Sequence, residues 1–83
     1  MSDLEHDFQT AVAASKTLAN RPDNATLLKL YALYKQGSVG DAPAEGPDDM
    51  IGKFKHKAWA DQQGLAQDDA KRAYIALVEL LQD

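Results

Sequence analysis

The stretch Leu30–Asp41 reads LYALYKQGSVGD. Its first half places Leu30, Tyr31 and Tyr34 at helical spacing, continuing a pattern begun at Leu27. Its second half opens a run, GSVGDAPAEGPD, with glycines and prolines too frequent for a helix or a strand. A helix that gives way to a long irregular connection, in a chain with no convincing strand alternation, points to an all-α fold. Loops of this length are at the upper end of normal and are often functional.

The segments on either side fit that reading. Upstream, Ser2 with Glu5 matches a capping box, and Leu4, Phe8, Ala11, Val12, Ser15 and Leu18 recur at helical spacing. A first helix is expected from about Asp3 to Leu18, closed by Asn20-Arg21-Pro22. Asp23 or Asn24 caps a second helix from about Ala25 to Gln36, with Gly37 as its stop. Its face is Leu27, Leu30, Tyr31 and Tyr34, flanked by Leu28 and Lys35, with Leu33 outside it. Asp48 or Asp49 caps a third helix ending at Gly64. Met50, Ile51, Phe54 and Ala58 form its apolar stripe, Lys55 stands at the edge, and Trp59 lies beyond it. A fourth helix starts near Gln67, where Asp68 and Asp69 favour the dipole, and carries Ala70, Ala73, Tyr74, Leu77, Val78 and Leu81.

Composition bounds the function. A chain of 83 residues allows a single domain, 1–83, with one modest core. Hydrophobic content of 45% supports folding, but no apolar run approaches the ~20 residues of a membrane span. The N-terminal MSDLEHDF is acidic, unlike a signal peptide, so a soluble cytoplasmic protein is expected. There is no cysteine, hence no thiolate site, and His6 and His56 lack the spacing of a helical metal pair. No metal and no cofactor are expected. No nucleophile elbow or phosphate-binding glycine loop appears, so an enzyme is not expected. A net charge of −4 argues against a nucleic-acid binder using Lys53-Phe54-Lys55-His56-Lys57. That run is nevertheless a local cationic patch, fitted to a phosphate.

Three features remain: Tyr31 and Tyr34 beside Lys35, the lysine run, and Tyr74 as the lone aromatic of the last helix. Each has a plain reading, as rim tyrosines, a solvated face and a core tyrosine. Each also has a ligand reading, in which phenol faces hold a planar group and ammonium groups pair with anions.

Taken together the residues resemble the acyl-CoA-binding protein family, over nearly the whole chain. The resemblance rests on Y-x-x-Y-K-Q followed by G-D in Tyr31–Asp41, then K-x-K-A-W in Lys55–Trp59, then D-D-A-x-x-A-Y-I in Asp68–Ile75. It implies an up-down-down-up four-helix bundle with a long loop between helices two and three. It implies a non-catalytic, monomeric carrier of long-chain acyl-CoA esters, with acyl-CoA-using enzymes as partners. It carries Tyr31 and Lys35 to the adenine nucleotide end, with Tyr34 beside them. It carries Lys55 to the 3′-phosphate, Tyr74 to the ligand, and Lys16 to a further binding contact. The acyl chain lies in an apolar groove, and Trp59, beyond the stripe, is expected to respond weakly to ligand. Three departures stand out: His56 occupies a position commonly tryptophan, the segment between Pro47 and Gly52 is about two residues shorter, and Ala66 replaces a hydroxyl cap. The other reading is a bundle that keeps the fold but docks a partner helix.

Overall fold

The computed structural model describes residues 3–82. Four helices follow one another: α1 (Leu4–Ser15), α2 (Asn24–Ser38), α3 (Met50–Ala60) and α4 (Gln67–Leu81). Asp3 is the N-cap of α1 and makes no side-chain cap bond. The capping box expected from Ser2 lies outside the described residues. The helix stops three residues short of the expected Leu18. Lys16 and Thr17 turn their N–H groups onto Ala13 and Ala14, tightening the last turn.

Asp23 caps α2, accepting the Thr26 N–H at 2.8 Å. The expected stop at Gly37 is not one: α2 continues to Ser38. The chain leaves the helix at Gly40, whose φ of +104° is open to glycine without strain. Its N–H still reaches the Lys35 carbonyl at 3.2 Å. Gly37 serves packing instead. A Cβ there would lie 3.1 Å from Lys71 Cγ and 3.5 Å from the Phe8 ring, so the bare backbone lets α4 approach α2.

Asp49 caps α3 through the Gly52 N–H. The helix ends at Ala60, and a turn carries the chain to Gly64 at φ +89°, four residues short of the expected helix end. Ala66 precedes α4 without a side-chain cap, as its methyl dictates.

Contacts fix the directions. Tyr31 meets Lys55 and Lys35 meets Trp59, so numbering rises together and α2 and α3 are parallel. Gly37 meets Lys71 while Tyr34 meets Tyr74, so α4 is antiparallel to α2. Glu5 meets Lys71 and Phe8 meets Tyr74, so α1 is parallel to α4. The order is up-down-down-up. A parallel pair cannot be joined by a tight turn. Residues 39–49 must travel back along α3, about 16 Å at 1.5 Å per residue, well within the ~3.3 Å per residue an extended chain reaches.

The core is α1, α2 and α4: Phe8, Ala11, Leu30, Leu33, Tyr74 and Val78. Here two expectations fail. Leu33, assigned outside the apolar face, is 2% exposed because α2 is flanked by α4 on one side and α3 on the other. Ala73 is exposed, turned away from α1 and α2. The third helix is corrected more deeply. Met50, Ile51 and Phe54 are 71%, 67% and 56% exposed, while Trp59 is buried at 8%. Among the helices α3 packs on α2 alone; the long connection covers α3 at Gly52 and His56, and Trp59 is buried beneath Lys35 of α2, while the stripe is left open. Among the described residues, no helix is long and apolar enough to cross a membrane.

Candidate functional site

Tyr31 stands where three adjoining cavities meet. A 100° step per residue turns Tyr34 to one side of it and Lys35 to the other, so the three do not share one patch. Beside Tyr34 lies a hollow of about 340 Å³ lined by Val12, Ser15, Lys16, Leu30, Tyr31, Tyr34 and Tyr74. Beside Lys35 lies one of about 230 Å³, lined by Tyr31, Lys35, Lys55, His56, Trp59 and the loop residues Pro43 to Pro47. Toward the start of α2 lies a groove of about 440 Å³ between Leu27, Leu28 and Tyr31 of α2 and Ile51, Phe54 and Lys55 of α3, with Arg21 and Asn24 at its end.

The tyrosines differ in what holds them. Tyr74 is 4% exposed, and its hydroxyl donates to Ser15 Oγ at 3.1 Å, which donates to the Val12 carbonyl at 2.7 Å. Its ring meets Phe8 edge-on at 5.3 Å, and Tyr34 stacks on Phe8 at 6.0 Å. Tyr74 therefore belongs to the core, as its plain reading has it, with one edge at the hollow. Tyr34 is 38% exposed.

The lysines meet rings rather than acids. Lys55 Nζ lies 5.4 Å from the Tyr31 ring centre and Lys35 Nζ 5.1 Å from that of Trp59. Lys16 follows α1 as its C-cap and reaches the Tyr34 hollow. Among the described residues no carboxylate pairs with Lys16, Lys35 or Lys55, whereas Lys57, Lys71 and Arg72 each have one. Three cations without counter-ions around aromatic faces form a positive field suited to an anion. A continuous apolar groove leads away from them.

All six residues singled out in the sequence therefore line this system, through Tyr31. Trp59, expected beyond the stripe that faces the groove, lines the pocket beside Lys35, while Ile51 and Phe54 of that stripe line the apolar groove with Leu27 and Leu28 of α2. Part of the motif is structural. Gln36, buried, donates to Asp41 Oδ1 at 2.8 Å and to the Leu65 carbonyl at 2.9 Å, and Asp41 also accepts the Gly64 N–H at 2.9 Å. That N–H first, then Gln36, holds the Asp41 carboxyl below its ordinary range. Trp59 Nε1 donates to the Gly40 carbonyl at 2.7 Å. These bonds lock the end of α2 to α3 and to the turn before α4. Among the described residues no cluster of His, Cys, Asp or Glu could hold a metal.

A family model described as acyl CoA binding protein matches residues 5–78. Acyl-CoA-binding protein homolog 1 of Caenorhabditis elegans is 54% identical over 76 residues, covering 89% of this chain and 88% of that protein. The acyl-CoA-binding protein of Saccharomyces cerevisiae is 42% identical, covering 89% and 87%. The crystal structure of Oryza sativa acyl-CoA-binding protein 2 superposes with a TM-score of 0.88 at 31% identity, covering 94% and 87%.

Proposed function

The chain belongs to the acyl-CoA-binding protein family, and from that premise we propose that it binds long-chain acyl-CoA esters as a carrier and buffer, without converting them. The observation that carries the reading in detail is the position of Tyr31 at the junction of a cationic, aromatic pocket and an apolar groove. A CoA thioester has the same two-part chemistry. Its nucleotide end offers a flat base and phosphates, and its acyl end offers methylenes.

In this reading Tyr31 takes the adenine face, Lys35 and Lys55 take phosphate oxygens, with Lys55 at the 3′-phosphate, and Lys16, Tyr34 and Tyr74 close the other side. Each methylene moved from water into the groove contributes ~0.8 kcal/mol, so ten contribute about 8 kcal/mol, partly offset by ordering of chain and side chains. The apolar term sets the preference for long chains, and the charged term is common to CoA and every ester of it. The carrier works as a cytoplasmic monomer that exchanges its ester with acyl-CoA-using enzymes.

A thermal melt with and without a long-chain acyl-CoA tests this. A ligand bound only to the native state at a hundredfold excess over Kd stabilises by about 2.7 kcal/mol. For a domain of this size that raises Tm by roughly 10–20 °C. Free CoA gives a smaller rise. No rise at saturating ester would overturn the carrier reading and leave the exposed Met50-Ile51-Phe54 stripe as a surface for a partner helix.

A further inference from the structure

The connection between α2 and α3 is seated on α3 rather than draped past it. His56 Nε2 lies 2.7 Å from the Pro43 carbonyl oxygen. That oxygen only accepts, so the imidazole supplies the N–H from Nε2. Gly46 lies flat against the same ring: a Cβ added there would come within 2.8 Å of His56 Cβ and closer still to Cγ. One turn earlier on α3, a Cβ at Gly52 would meet Pro47 Cβ at 2.7 Å. Two bare positions and one hydrogen bond thus let residues 43–47 close onto α3. The same residues form a wall of the pocket that holds Tyr31, Lys35 and Lys55.

We propose that His56 is a positioning residue for the nucleotide end of the ligand: its ring latches residues 43–46 onto α3 and so sets the width of the pocket in which Tyr31, Lys35 and Lys55 act. This rests on the function proposed above. The latch is local to α3 and the loop. His56 is not among the residues of the α1–α2–α4 core cluster, so its loss leaves the bundle folded. Without it, the loop wall moves and the nucleotide meets a pocket that must be ordered on binding. The acyl groove, on the far side of Tyr31, is unaffected.

The test combines calorimetric titration of free CoA and one long-chain acyl-CoA with backbone 15N order parameters of Ala44, Glu45 and Gly46 in the ligand-free protein. His56→Phe keeps a planar ring and removes the N–H. It is expected to lower those order parameters and to weaken CoA and acyl-CoA by the same factor, roughly 3- to 10-fold for one neutral hydrogen bond. His56→Gln restores an N–H donor and should recover most of both losses. Gly46→Ala should weaken binding in the native background and add little to His56→Ala, because both break one contact. Unchanged order parameters in His56→Phe would overturn the latch. Lower order parameters with unchanged CoA affinity would overturn its role in positioning. If the native protein bound neither CoA nor its ester, the function reading itself would fail, while the order parameters would still decide whether the latch exists.

Discussion

The two sides of α2 carry similar residues and come to different ends. Toward α4 and α1, Leu30 and Leu33 close against Phe8, Tyr74 and Val78, and Gly37 brings the helices together. Toward α3, Leu27, Leu28 and Tyr31 face Ile51 and Phe54 across a groove that stays open. The apolar content is alike. What differs is the number of helices: three share the first side, whereas among the helices α3 has α2 alone. Exposed apolar surface that no helix covers is where a ligand can take the place of a core.

The largest effect expected from this contrast is on stability. Phe8→Ala empties the centre of the closed side and should cost about 3–5 kcal/mol, read from urea unfolding. That is a large share of the ~5–15 kcal/mol of a typical domain. Phe54→Ala on the open side should change stability by less than about 0.5 kcal/mol. It should instead weaken long-chain acyl-CoA on the order of 5- to 10-fold, from about 1 kcal/mol of burial still available to a ring now 56% exposed, and leave free CoA unchanged. Similar stability losses in the two variants would erase the distinction between the sides.

Trp59 sharpens the comparison at the boundary between them. It is buried, hydrogen-bonded to the Gly40 carbonyl, and lies under Lys35 in the pocket wall. Its emission should therefore change on adding free CoA, and by a similar amount with an acyl ester. A response to the ester alone would move Trp59 to the acyl side.

The smallest expected effect is on pH dependence. Asp41, Glu5 and Asp23 are each held below the ordinary carboxylate range: Asp41 by the Gly64 N–H and Gln36, Glu5 by Lys71 and Gln9, and Asp23 by Thr26. A carboxyl depressed in the folded state stabilises above its unfolded value, near 4, and loses that contribution as pH falls through the lower folded value. Stability should fall at acid pH. Asp41→Asn, which can still accept both hydrogen bonds, should flatten that fall in a series of melts between about pH 2 and 5. An unchanged slope would show that Asp41 is not among the groups responsible.

Much of the fold was legible because it is local. The glycines and prolines of residues 37–47 marked the long connection, and the spacing in α1 and α4 marked their helices. Apart from the early ends of α1 and α3, the failures are questions of neighbours. Gly37 looks like a stop in one dimension, yet it is where Lys71 crosses. Trp59 falls outside an apolar stripe, yet that stripe is the uncovered face. The candidate site divides the same way. Spacing alone could bring Tyr31, Tyr34 and Lys35 near one another. Lys55 joins them only because α2 and α3 run parallel, and that assignment came from resemblance to a family. Gln36 and Asp41 were read within a ligand motif, and they turn out to brace the loop.

In the function proposed above, the open side of α2 reads a phosphorylated nucleotide through Lys55. A double cycle measured by calorimetry at one fixed salt concentration tests it most directly. Native protein and Lys55→Ala are each titrated with an acyl-CoA and with the matching ester lacking the 3′-phosphate. Either single change is expected to cost roughly 1.5–3 kcal/mol, a 10- to 150-fold loss, and both together little more than one. Losses that simply add, or a small loss from Lys55→Ala that fades with salt, would contradict it and return Lys55 to a solvated lysine on the surface of α3.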